Sequence, residues 1–240
     1  MCGIAGLWFQ SEVKEDLLLN YGKAMASKLI NRGPDNEGFW PDPNNGIILA
    51  HRRLAIRDLK HSGSQPMFSK DKKLVIIFNG EIYNYQSLKN ELKEYKWAGT
   101  SDTEVLIAAI EKWGLKSALN KCYGMFAFAL WNRENKKLIL ARDRFGEKPL
   151  YWGNLNLENK SKNVIAFSSD LASFWSIPNV IKNIDYDAFS DFLKYGYVRS
   201  PLSIQKGIFQ LNPGSFVEIK SNGGFAPVSY THLTLPTTTI

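Results

Sequence analysis

Residues 74–78 (LVIIF) form an unbroken run of five apolar side chains, three of them β-branched. In an extended chain successive side chains point to opposite faces, so the run reads as a strand buried on both sides, which needs a covering layer on each. A second apolar run, 125–131 (MFAFALW), is also of strand length. It leads through 132–136 (NRENK) into 137–142, a pattern that predicts a hairpin. Further strands are expected at 2–9, 46–50, 53–59, 150–153 and 164–168. Helices are expected over 16–30, closed by the Gly33-Pro34-Asp35 turn, over 86–95, and after Ser101. The last carries a capping-box pattern, Ser101-Asp102-Thr103-Glu104, an apolar face of Val105, Leu106, Ala109, Ile110 and Trp113, and a glycine stop at Gly114. Strands outnumber helices, and the helices come in pairs between groups of strands. The fold class is therefore α+β rather than a doubly wound parallel sheet.

Composition narrows the function classes. With 240 residues, 44% hydrophobic and 13% aromatic, the chain has the profile of a globular domain with a sizeable core. A net charge of +7 is spread over short lysine runs interleaved with acids, and neither a long basic stripe nor a nucleic-acid motif is present. No stretch reaches the roughly 18–20 apolar residues of a membrane span, and no basic segment precedes the first apolar run, so neither a membrane nor secretion is expected. Two cysteines, Cys2 and Cys122, suit a reducing, cytoplasmic setting. Cys122 reads as a small buried side chain. His51, His61 and His232 have no metal-site spacing with the cysteines, so no metal is expected.

Cys2 carries the chemistry. Removal of Met1 would leave a thiol and a free α-amine on one carbon. The amine titrates near about 7.7–8.0 and the thiol near about 8.5, so the amine can act as base for its own thiol without a histidine.

The residues around it form an ordered series: Cys2-Gly3-Ile4-Ala5-Gly6, Arg32-Gly33-Pro34-Asp35, Ala50-His51-Arg52-Arg53-Leu54, Asn79-Gly80-Glu81-Ile82-Tyr83-Asn84, Ser101-Asp102-Thr103-Glu104, Gly124-Met125-Phe126-Ala127-Phe128-Ala129, and 142–151 (RDRFGEKPLY). This series resembles the class II glutamine amidotransferase domain of glutamine-hydrolysing asparagine synthetases. The resemblance implies an N-terminal-nucleophile hydrolase fold, a four-layer αββα sandwich of antiparallel sheets, and hydrolysis of L-glutamine to glutamate and ammonia.

It also implies roles. Cys2 is the nucleophile; the Asn79 side chain and the Gly80 N–H form the oxyanion hole. Arg53, Leu54, Ile56, Asn79, Gly80, Glu81 and Asp102 bind glutamine. The residue chemistry suits this: a guanidinium fork can take the α-carboxylate bidentately, and Glu81 and Asp102 can take the α-ammonium. Arg53 could equally be a strand-edge arginine, and Asp102 a first-turn acid favoured by the helix dipole. Asn79-Gly80 is expected in a turn after the buried strand. Arg52 is expected at the surface, and 142–151 has no evident catalytic role.

The glutaminase domain is expected over 2–190, with a connector at 191–227 leading toward a missing synthetase domain. ATP and magnesium are implied for that second domain alone, and no cofactor for this one. A homodimer through the amidotransferase domain is the implied assembly of the full-length enzyme. Residues 228–240 are expected to be a non-native tail, because 228–237 (VSYTHLTLPT) resembles a translated sequencing adapter and no charged residue follows Lys220. Two alternatives stay open: a catalytically silent binding or assembly module, and the amidotransferase half of an enzyme amidating another acceptor, such as a surface-polysaccharide sugar.

Overall fold

The computed structural model describes residues 1–56, 58, 60–155, 157, 164–221 and 223–230. In chain order the elements are β1 (Gly3–Trp8), α1 (Glu15–Ser27), β2 (Asn36–Asp42), β3 (Ile47–Arg53), β4 (Met67–Phe68), β5 (Leu74–Ile82), α2 (Tyr85–Glu91), α3 (Asp102–Trp113), α4 (Leu115–Lys121), β6 (Gly124–Asn132), β7 (Lys137–Arg142), β8 (Tyr151–Leu155), β9 (Val164–Ser168), α5 (Ala172–Trp175), α6 (Tyr186–Tyr195), β10 (Ile208–Gln210), β11 (Ser215–Lys220) and β12 (Phe225–Ser229). They build two six-stranded sheets, ordered β10-β8-β9-β1-β3-β2 and β12-β11-β7-β6-β5-β4, with antiparallel pairing throughout.

Alternation along the strands stacks the layers. In β5, Val75 and Ile77 enter a core shared with Ile4 and Trp8 of β1 and Leu49 of β3, whereas Ile76 and Phe78 enter a separate core with α3. In β1 the opposite parity, Ala5 and Leu7, packs on Leu18 and Met25 of α1. The order of layers is thus α1 with α5, first sheet, second sheet, then α2 to α4. Trp8 and Trp131 meet edge to face across the inter-sheet core, 5.0 Å between ring centres. This is the expected four-layer α+β sandwich.

Several local expectations change. The buried strand runs to Ile82, so Asn79, Gly80 and Glu81 lie in the ladder opposite Ala127, Phe126 and Met125 rather than in a turn. The strand expected at 53–59 stops at Arg53, with 57 and 59 outside the described residues. Beyond Arg53 the Leu54 and Ala55 amides are engaged by Cys2 Sγ and the Asp35 carboxylate, and so are lost to a ladder. Glu104 does not close a capping box: its carboxylate accepts from the Ala98 and Gly99 amides, at 2.7 and 2.9 Å, while Ser101 Oγ accepts from Thr103. Arg52 is not a free surface residue; it pairs with Glu37 at 2.7 Å. The boundary expected at 190/191 falls inside α6 and that at 227/228 inside β12, where Val228 pairs with Phe216. Tyr230 is buried and donates to the Arg142 carbonyl at 2.7 Å. The remaining ten residues of the expected tail, 231–240, lie outside the described residues.

Candidate active site

The alternation that fills the inter-sheet core also aims polar side chains at one end of it. Cys2 continues the parity of Ile4, Arg53 that of Ile47 and Leu49, and Asn79 that of Val75 and Ile77. All eight residues expected at the site, Cys2, Arg53, Leu54, Ile56, Asn79, Gly80, Glu81 and Asp102, line one cleft at the sheet ends.

The N-terminal segment is clamped by the Arg32 turn. Arg32 Nε donates to the Cys2 carbonyl at 3.4 Å. Gly33 lies so close to the β3 backbone that a Cβ would sit 2.4 Å from the Arg52 carbonyl carbon. Asp35 accepts from Ala55 N at 2.7 Å and donates its own amide to the Arg53 carbonyl at 3.0 Å. These contacts set residues 53–55 against Cys2, whose Sγ receives the Leu54 N–H at 3.4 Å. Burial pushes the Cys2 thiol upward, against the pull of that N–H, the terminal ammonium and Arg53; Asp102 adds a further upward push. At neutral pH the thiol is protonated and needs a base.

The opposite wall is β5. Phe126 exchanges its backbone bonds with Asp143, so the Gly80–Phe126 pair is of the non-hydrogen-bonded kind, and the Phe78, Gly80 and Ile82 amides point to the other edge of β5. Gln65 Oε1 takes the Phe78 N–H at 2.6 Å and Asp102 Oδ2 takes the Ile82 N–H at 2.8 Å. Gly80 lies between them, facing the cleft. A Cβ there would lie 2.2 Å from the Met125 carbonyl oxygen, so close packing rather than a turn requires the glycine. The Asn79 side chain is 1% exposed, yet neither its Nδ2 nor its Oδ1 has a hydrogen-bond partner among the described residues. An unsatisfied buried amide costs about 1–3 kcal/mol.

Arg53 enters the cleft from β3 and donates to the carbonyls of Asp58 and Lys60, which orders the loop after it. His51, one inward position earlier, is fully buried with Nε2 3.2 Å from the Phe78 carbonyl. Burial pushes its pKa down to about 3, with Arg53 adding to the effect against the Phe78 hydrogen bond. It stays neutral and braces β3 against β5. Cys122 is buried beside β6, its thiol pushed up to about 12 by desolvation.

Four contributors were not among the expected site residues. Gln65 bridges Phe78 N and Thr103 Oγ1, the latter at 3.3 Å, and so ties β5 to the start of α3. Arg32 and Asp35 belong to a recognised motif, but their contacts depend on tertiary structure, reaching Cys2, 30 residues before Arg32, and Ala55, 20 residues after Asp35. Lys148 lines the cleft from the 142–151 segment.

A family model described as a glutamine amidotransferase domain matches residues 1–231. The chain is 35% identical over 237 residues to the glutamine-hydrolyzing asparagine synthetase 1 of Bacillus subtilis, a match covering 96% of this chain and 35% of that protein. It is 34% identical over 232 residues to a putative glutamine-hydrolyzing asparagine synthetase 2 of Methanocaldococcus jannaschii, covering 88% of this chain and 42% of that one. The chain thus spans well under half the length of these relatives. Among solved structures, the glutamine phosphoribosylpyrophosphate amidotransferase from B. subtilis aligns with a TM-score of 0.66 at 19% identity, over 96% of this chain and 49% of that one. That likeness is one of fold, a four-layer sandwich of two antiparallel sheets between helices.

Proposed function

The chain belongs to the family of glutamine amidotransferase domains, and on that footing we propose that Cys2, once Met1 is removed, hydrolyses L-glutamine to glutamate and ammonia through a thioester. The observation that carries this reading is the orphaned Asn79 amide beside the Gly80 N–H, two donors on the cleft wall facing the nucleophile. The freed α-amine takes the thiol proton and the thiolate attacks the side-chain carbonyl carbon. Asn79 and Gly80 hold the resulting oxyanion. The protonated amine gives its proton to the departing nitrogen, ammonia leaves, and water then adds to the thioester, releasing glutamate and restoring the thiol. In this reading Arg53 holds the substrate α-carboxylate, with Glu81 and Asp102 on the α-ammonium and Leu54 and Ile56 along its chain.

Steady-state hydrolysis by Met1-free protein tests this. Asn79→Ala should lower kcat about 100- to 1000-fold with KM little changed. An unchanged kcat would rule the role out.

We further propose that the ammonia serves asparagine synthesis from aspartate, using ATP and magnesium, in a longer cytoplasmic protein. On this reading residues 2–190 are the glutaminase domain and 191–227 the connector to the second domain, with the limit between them lying within α6. The names of the relatives support this, as does the outer face of α6, where Phe189, Phe192 and Leu193 are exposed as on a surface built to be covered.

A further inference from the structure

The 142–151 segment is the motif that the proposed chemistry leaves unused. Its construction is far heavier than a connecting loop needs. The buried Asp143 carboxylate accepts from four backbone amides, those of Phe126 at 3.2 Å and of Phe145, Glu147 and Lys148 at 3.0 Å. The Arg142 guanidinium donates to three carbonyls, of Lys148 at 2.8 Å, Leu211 at 2.7 Å and Gly146 at 2.6 Å. Both backbone polar groups of Lys148 are therefore pinned, one by each member of the pair.

The side chain so positioned is 5% exposed and lines the same cleft as Cys2. Its ammonium lies 3.0 Å from Met1 Sδ, a weak acceptor that does little for a buried cation. Five covalent bonds separate that sulfur from the Cys2 nitrogen, so Nζ lies within about 9 Å of the atom that becomes the α-amine.

Building on the glutaminase reading, we propose that Lys148 is a positioning residue that holds the Cys2 α-amine in its neutral, basic form. Removal of Met1 takes away that thioether and turns the Cys2 nitrogen, five bonds from it and lining the same cleft, into a free amine. A free α-amine titrates near about 7.7–8.0, so at neutral pH most of it would be protonated and unable to accept the thiol proton. A neighbouring ammonium opposes that protonation by like charge, and its N–H can hydrogen-bond only to the unprotonated amine. The other charged groups facing Cys2 are Arg32 on its carbonyl, Arg53, Glu81 and Asp102. These are two carboxylates and two guanidiniums, and Lys148 adds one further positive charge to the cleft. The Asp143 carboxylate is directed at its four backbone amides rather than at the Lys148 ammonium.

The test is the pH profile of kcat/KM for glutamine hydrolysis by Met1-free protein. Lys148→Met should move the acidic limb up by about 1 pH unit, lowering kcat/KM about fivefold at pH 7 and approaching about tenfold only below the wild-type limb, while the high-pH plateau stays near wild type. Lys148→Arg should restore the wild-type limb. Superimposed profiles for wild type and Lys148→Met would overturn the proposal. So would a uniform loss at every pH that Lys148→Arg repairs equally, which marks packing. An inactive wild type would count against the glutaminase reading itself. A second measurement needs no variant: the pH dependence of reductive methylation at the Cys2 amine of the wild-type protein, followed by mass spectrometry. A midpoint below the ordinary α-amine range supports the proposal, and one within or above that range overturns it.

Discussion

At the scale of single residues, the site was legible in identity and less so in setting. Cys2, Arg53, Asn79, Gly80 and Asp102 were named from sequence, and the structure brings them to one cleft. Asn-Gly, however, carries the local signal of a turn, and no local signal reports that β6 pairs alongside to hold it extended. Gln65 and Lys148 had no readable role because each acts through contacts set by tertiary structure. Asp102→Asn should raise KM for glutamine at least about tenfold, since hydrogen bonds to charged groups are worth about 1.5–3 kcal/mol; kinetics with glutamine checks it. His51 gives a stability prediction with a defined sign. Its folded pKa of about 3 lies below the ordinary histidine value, so the unfolded chain binds a proton that the folded chain refuses. The stabilisation is fully present above about pH 6.5 and is lost as pH falls toward 3, at up to about 1.4 kcal/mol per pH unit. His51→Gln, whose amide can still donate to Phe78, should flatten that slope in urea unfolding measured across pH.

At the scale of elements, apolar runs and the α3 cap point to β1, β5, β6, β7 and α3, and the hairpin between β6 and β7 falls where its loop residues indicate. Strand β2 was missed. Its sequence, NEGFWPD, carries two acids and a proline and lies between two turn-rich stretches, so it reads as loop. As the edge of its sheet it tolerates Pro41 and the exposed Glu37, which a central strand would not. The length of β5 was underestimated because apolar character ends at Phe78, whereas pairing continues for four more residues to serve the cleft. Gly80→Ala tests that reading. With the added methyl against the Met125 carbonyl, β5 and β6 must part, and denaturant unfolding should show a loss of about 1–3 kcal/mol. Ser101→Ala removes the cap of α3 and should cost about 1 kcal/mol, with a rise in KM through the loosened Asp102.

At the scale of the whole molecule, two doubly covered strands were enough to require layers, and the count and order of the strands followed only from the structure. The two sheets meet through one apolar core, so the cleft at its end is as rigid as that core, and Cys2 and Asn79 approach each other because their sheets pack. Trp131→Ala removes one of the two indoles spanning the sheets and should cost about 3–5 kcal/mol in thermal or denaturant unfolding. No helix among the described residues is long and apolar enough to cross a membrane. The central claim is that Cys2 is a glutamine-directed nucleophile, and the direct measurement is active-site labelling. Folded protein with Met1 removed is treated with a glutamine-derived electrophile such as a diazoketone and examined by intact mass and peptide mapping. The account predicts one adduct per chain, on Cys2, blocked by excess glutamine and matched by loss of glutamate release. A folded, Met1-free protein that takes up no label at Cys2 and releases no glutamate would contradict it.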